Sequence, residues 1–255
     1  MSQTFDCTTP EGREDGVSAA AAAVRRGEVV VLPTDTVYGV GADAFSPEAV
    51  ASVLAAKGRG RSMPPPVLVP HARTVDGLAV QIPGYARDLM ERFWPGPLTL
   101  VLLAQPSLMW DLGETNGTVA LRIPEDQTAL ALLSEVGPMA VTSANLTGEP
   151  AAMSAAEAEA MLGDAVAVYL DGGRCSDGEA STILDCTQAQ PRVLRDGAVD
   201  LDTLRAALGT VRLEGDDETA PAAAPEPRAD ALDGPHDPLA ADPGGASGRH
   251  TDPTL

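Results

Sequence analysis

One lysine stands among sixteen arginines in this 255-residue chain. A surface cation of no consequence would follow that bias and be arginine. The single Lys57 therefore points to a place where a compact, mobile ammonium is wanted, as on a phosphate. The alternative reading is a cation that caps the last carbonyls of a helix. Its neighbours favour the first: KGRGR sets Lys57, Arg59 and Arg61 in one flexible loop of a chain whose net charge is −20. Three cations gathered by so acidic a protein suit a polyanion such as a triphosphate.

Other polar residues recur where apolar runs stop. EVVVLPTDTVYGVGAD, Glu28 to Asp43, carries a buried-strand run into Thr34, Asp35 and Thr36 and then into Tyr38, Gly39 and Gly41. We expect the threonines and Asp35 to form a polar lip, Tyr38 to pack beside a small ligand, and the glycines to slim the backbone where it turns away. AVTSANLTGEP repeats the pattern with Thr142, Ser143 and Asn145, although such groups also serve simply to satisfy nearby backbone. GTVALRIP ends on Arg122, either a surface ion-pair partner or a bidentate fork for a carboxylate. DGEASTILD brings Ser181 and Thr182 into a strand, and VLRDG brings Arg195 out of one. Several such strand ends in one sheet would line a polar cleft.

What is missing narrows the chemistry. No GxxxxGK[ST], GxGxxG or GxSxG is present, and GVGAD lacks the third glycine. His71, His236 and His250 are scattered, which speaks against a catalytic histidine or a zinc site. Cys7, Cys175 and Cys186 form no CxxC pair and read as reduced thiols of a cytoplasmic protein. An enzyme with this content works by positioning and charge neutralisation, which suits nucleotidyl transfer better than covalent hydrolysis. The N-terminus has no apolar h-region, and the longest apolar run, Leu98 to Ala104, is far too short to span a membrane. The negative charge opposes broad nucleic-acid binding and leaves room only for a local contact with RNA.

The elements that must position these residues alternate β-branched and alanine-rich runs. The periodicity predicts helices over Val17 to Gly27, Pro47 to Lys57 with Ser46 as N-cap and Gly58 past the end, Tyr85 to Phe93, Gln127 to Glu135, Ser154 to Leu162 and Leu201 to Leu208. It predicts strands over Val29 to Leu32, Val67 to Val69, Leu98 to Leu103, Thr118 to Ile123, Met139 to Thr142, Ala165 to Leu170, Ser181 to Asp185 and Arg192 to Arg195. Strands that follow one another directly favour a mixed sheet in an α/β, α+β-like domain. From Glu214 onward Pro, Ala, Gly and Asp take over, with ten acidic residues against Arg228 and Arg249. The chain thus divides into a domain over 1–213 and a disordered acidic tail over 214–255.

Seven segments in this order, LPTDTVYGVGADA, KGR, FWPGPLTLVL, TVALRIP, VTSANLTGEP, STILDC and VLRDGAV, resemble the YrdC-type L-threonylcarbamoyladenylate synthase family over about Val17 to Leu208. Such enzymes make threonylcarbamoyl-AMP and pyrophosphate from L-threonine, bicarbonate and ATP, for threonylcarbamoyladenosine modification of tRNA. The resemblance implies a twisted mixed sheet flanked by helices, with an open concave cleft. It implies that Thr36, Arg122 and Ser181 surround L-threonine, and that Lys57, Arg59, Thr118, Ser143, Asn145 and Arg195 hold ATP with Mg2+, Lys57 and Arg59 acting on the phosphates. Proteins that transfer the threonylcarbamoyl group to tRNA are the implied downstream partners, with at most a weak tRNA contact. Two departures stand out: Gly60 and Met63 in KGRGRSMPPPVLV replace a proline and a polar phosphate contact, and Leu68 stands where many relatives have histidine. The alternatives are a carbamoyl-transfer module of the same fold and a non-catalytic RNA-binding module.

Overall fold

The computed structural model describes residues 2–175 and 178–216. In chain order it runs β1 (Gln3–Asp6), α1 (Pro10–Arg25), β2 (Val30–Leu32), β3 (Gly39–Asp43), α2 (Pro47–Ala56), β4 (Val67–Leu68), α3 (Val75–Leu78) and β5 (Ala79–Val80). There follow α4 (Gly84–Phe93), β6 (Leu98–Ala104), β7 (Thr118–Arg122), α5 (Gln127–Val136), β8 (Met139–Ser143), α6 (Ala155–Leu162), β9 (Val168–Asp171), β10 (Thr182–Asp185), β11 (Arg192–Arg195) and α7 (Leu201–Leu208). The strands join in one sheet ordered β1-β9-β2-β3-β8-β4-β7-β6-β10-β11, with β5 on β6. Parallel pairs (β1–β9, β2–β9, β4–β7, β6–β10) sit among antiparallel ones, so the sheet is mixed, as expected.

Strand alternation sorts the side chains into layers. In the first half of the sheet Val30, Leu32, Val168 and Leu170 face α1 and α5, whereas Val31 and Tyr169 face the other way, into a core shared with α2 and α6. Both faces there are covered, and β2 reads as an unbroken apolar run for that reason. The second half differs. Leu98, Leu100 and Leu102 of β6, Val119 and Leu121 of β7 and Leu184 of β10 pack into a core with Leu89, Met90, Leu204 and Leu208 of α4 and α7. The opposite face of these strands carries Thr99, Val101, Thr118, Ala120, Arg122 and Ile183, which line a cleft.

Several boundaries moved. Helix α1 begins at Pro10, with Thr9 as its N-cap accepting from Gly12 N, seven residues before the predicted start. Gly12, Asp15 and Gly16 interrupt the apolar period in its first turns, and capping chemistry overrides that weak pattern. Strand β1 was not predicted; it is a short, mostly exposed edge strand with no apolar alternation. Glu214 to Asp216, assigned to the tail, belong to the folded body: Glu214 N donates to Pro191 O at 2.8 Å, and Asp216 pairs with Arg205 at 3.1 Å. The rest of the predicted tail, 217–255, lies outside the described residues.

Gly39 and Gly41 do not turn the chain away. They form β3, hydrogen-bonded between β2 and β8. A Cβ on Gly41 would stand 2.6 Å from Val141 Cγ2 and 2.7 Å from Ala140 O, and one on Gly39 2.6 Å from Val141 Cγ1. Close packing against β8 therefore demands glycine. Gly41→Ala is expected to destabilise the fold by about 1–3 kcal/mol, as overpacking does; an unchanged urea midpoint would show that β8 yields freely.

Candidate active site

Residues from separate strand ends meet in one cleft of about 470 Å³. Of the predicted site residues, Thr36, Arg59, Thr118, Arg122, Ser143, Ser181 and Arg195 line it; Lys57 and Asn145 lie behind its wall. The β2–β3 connection supplies Thr34 and Thr36, both nearly buried. Thr34 Oγ1 donates to Val37 O at 2.6 Å and accepts from Thr36 N at 3.2 Å, locking the turn. Such a bond replaces the strand ladder that ends at Leu32.

Arg122, at the end of β7, is 6% exposed. Its Nε donates to Gly96 O at 3.0 Å, Nη1 to Thr36 Oγ1 at 3.0 Å and Nη2 to Asp35 Oδ1 at 2.6 Å. Burial lowers its pKa while Asp35 raises it; the guanidinium stays charged, as arginine does. Beside it, Thr99 Oγ1 and Ser181 Oγ are 2.8 Å apart, and Arg195 Nη2 donates to Ser181 Oγ at 3.0 Å and to Ser181 O at 2.6 Å. Arg59 Nη1 donates to Thr142 Oγ1 at 2.8 Å, while its Nε is buried without a partner. Burial lowers the pKa of Arg59, and burial with the facing charges of Arg122 and Arg59 lowers that of Arg195. Three cations that repel one another across a cleft create a strong demand for an anion.

Lys57 departs from the expectation of a mobile ammonium. It is the C-cap of α2 and 3% exposed. Its Nζ donates to Ser143 O, to Asn145 O at 2.7 Å and to Asn145 Oδ1 at 2.9 Å, and its own carbonyl accepts from Thr147 N at 2.9 Å. All three ammonium hydrogens are thus spent on the last residue of β8 and the segment that follows it. Burial, with a smaller push from Arg59, brings its pKa down to about 8, so it remains largely cationic at neutral pH. Asn145 is similarly committed, donating to Leu146 O at 2.8 Å and Glu149 O at 2.7 Å. Arg61 also leaves the expected cation cluster; it is exposed and pairs with Asp111 at 2.7 Å.

Thr34, Thr99 and Thr142 also line the cleft but were not among the expected ligands. Thr99 hides in LTLVLL, where only its odd register between Leu98 and Leu100 marks it as facing away from the core. Tyr38 lines the cleft as expected, yet its hydroxyl is anchored, donating to Gly173 O at 2.5 Å. Met63 is exposed and Leu68 is buried in the cleft wall.

Comparison with known proteins identifies the family of the chain. The Sua5, YciO and YrdC family model, described as telomere recombination, matches residues 22–197. A Mycobacterium tuberculosis protein with a provisional threonylcarbamoyl-AMP synthase name is 53% identical over 209 residues, covering 82% of this chain and 96% of its own. The threonylcarbamoyl-AMP synthase of Bacillus subtilis is 38% identical over 201 residues, 78% of this chain and 58% of the relative. Among solved structures, P. abyssi Sua5 complexed with L-threonine superposes with a TM-score of 0.77 at 33% identity, covering 84% of this chain and 62% of that one. The chain belongs to the Sua5/YciO/YrdC family.

Proposed function

We propose that this protein is a threonylcarbamoyl-AMP synthase, a nucleotidyltransferase that joins L-threonine, bicarbonate and ATP with release of pyrophosphate. The observation that carries the reading is the buried Arg122 fork, held at the cleft floor beside Thr36 and close to Ser181 and Arg195. Arg122 takes the amino acid's carboxylate, a planar group matched to a guanidinium. Thr36 and Ser181 contact the rest of the amino acid. Arg59, Thr118, Ser143 and Arg195 hold ATP, whose phosphates face the outer cations. Lys57 and Asn145 support the Ser143 segment of that pocket from behind.

The amino group takes up CO2 derived from bicarbonate, losing a proton and becoming a carbamate. A carbamate oxygen then attacks the α-phosphorus in line, and the bond to pyrophosphate breaks. Arg59 and Arg195 stabilise the charge that develops on the phosphates. Among the described residues no group of three or more His, Cys, Asp or Glu side chains could cage a metal. A Mg2+ ion carried mainly by the ATP phosphates and water would need no such cage. It would neutralise phosphate charge. No described helix is long and apolar enough to cross a membrane. The proposed role is cytoplasmic, beside the proteins that pass the threonylcarbamoyl group to tRNA.

The carbamoyl-transfer alternative predicts turnover that ignores threonine. Pyrophosphate release from ATP and bicarbonate is expected to depend on threonine, with serine a poorer substrate and no amino acid giving background only. Equal release with and without threonine would overturn the reading.

A further inference from the structure

We propose that Asp35 is a positioning residue for the amino-acid site, acting through Arg122 and not by touching substrate; this rests on the functional reading just given. Asp35 lies between Thr34 and Thr36, but unlike them it is not part of the cleft lining. Its side chain is 13% exposed and that of Arg122 7%. Oδ1 accepts from Arg122 Nη2 at 2.6 Å and from Glu125 N at 2.8 Å. The second bond ties the carboxylate to the loop that leaves β7, three residues beyond Arg122, so that Asp35 and Arg122 are fixed to the same piece of backbone. Oδ2 is buried and accepts from no donor. The carboxylate is thus engaged through one oxygen, and its side-chain partner there is Arg122.

The consequence lies in the geometry of the guanidinium. Arginine has five N–H groups. Gly96 O takes one from Nε, Thr36 Oγ1 one from Nη1 and Asp35 Oδ1 one from Nη2, so that each nitrogen is held by a different residue. One N–H remains on each terminal nitrogen, the number that a bidentate carboxylate requires. Asp35 fixes the plane in which those two hydrogens lie, and its charge also keeps the buried cation compensated. An ion pair that served only the fold would have no reason to influence threonine more than ATP. A positioning pair does.

Two variants separate placement from charge. Asp35→Asn keeps an acceptor oxygen at the same distance and removes the charge; Asp35→Glu keeps the charge and pushes the acceptor out by one methylene. With pyrophosphate release as the assay and thermal melts to verify folding, Asp35→Asn is expected to hold the threonine KM within about threefold, and Asp35→Glu to raise it by about tenfold or more, with the ATP KM moving less than about twofold in both. The proposal is overturned if Asp35→Glu leaves the threonine KM unchanged, if Asp35→Asn raises it as much as Asp35→Glu, or if the ATP KM moves in step with it. The functional reading fails by a different sign, wild-type release that ignores threonine. In that event NMR of the Arg122 guanidinium decides the matter: rotation restricted in wild type and freed in Asp35→Glu supports positioning, and equal restriction in both overturns it.

Discussion

Replacing Arg122 by glutamine is expected to lower kcat/KM for threonine by at least about 100-fold, or about 2.7 kcal/mol. The neutral amide cannot present two charged N–H groups to a carboxylate, and charge-assisted bidentate pairs are the strong ones. The same change leaves the Asp35 carboxylate without its paired cation in a place where its side chain is 13% exposed. Breaking a buried pair by removing one partner costs roughly 3–5 kcal/mol, so the variant should also melt at a lower temperature. The loss of activity and the loss of stability separate on titration with an ATP analogue well below the melting point. Binding of the analogue should persist, because Arg59 and Arg195 remain, while threonine saturation disappears. A threonine KM equal to that of the wild type would remove Arg122 from the site.

Lys57→Met is the second large effect, and here the structure changes what should be measured. A phosphate ligand would be lost with little harm to the fold. Lys57 instead satisfies Ser143 O, Asn145 O and Asn145 Oδ1, and methionine fills a similar volume with no donor. Each acceptor left buried and unpaired costs about 1–3 kcal/mol, and for a domain of this size each kcal/mol lowers Tm by about 2–4 °C. We expect a Tm drop of that kind together with faster hydrogen exchange in the amides that follow β8, and turnover reduced about tenfold or more through misplacement of Ser143. The salt dependence of ATP binding discriminates between the two roles. Its slope should be unchanged if Lys57 works from behind the wall, and shallower if the ammonium touches phosphate. Unaltered exchange together with a shallower slope would return Lys57 to the phosphates.

Both residues were legible in the sequence as chemically unusual: a lone lysine, and an arginine closing an apolar strand. The strand ends VLPTDT, LRIP, VTSAN and STILD could be read because buried strands are written as apolar runs and the polar residues that end them interrupt those runs. The period-2 pattern likewise fixed β6, β7 and β10 to within a residue or two. What escaped was information that depends on neighbours. Nothing in GVGAD distinguishes a turn from a strand, and the tight approach of Val141, far away in the chain, is what requires glycine there. Thr99 looks like one more residue of a strand until the sheet gives that strand a covered face and an open one.

By itself, then, the sequence carried a resemblance to the family in seven ordered motifs, and it determined the mixed sheet and the strand ends on which polar groups would gather, because local periodicity and side-chain type carry that much. Direction and commitment were decided only by the tertiary structure. A lysine's three donors and an arginine's five act on whatever the packing sets within about 3 Å of them. Packing turned Lys57 toward the backbone behind the cleft, left the Arg122 fork at its floor, and made Asp35, a residue chosen by none of the sequence patterns as a ligand, the side chain on which that fork rests.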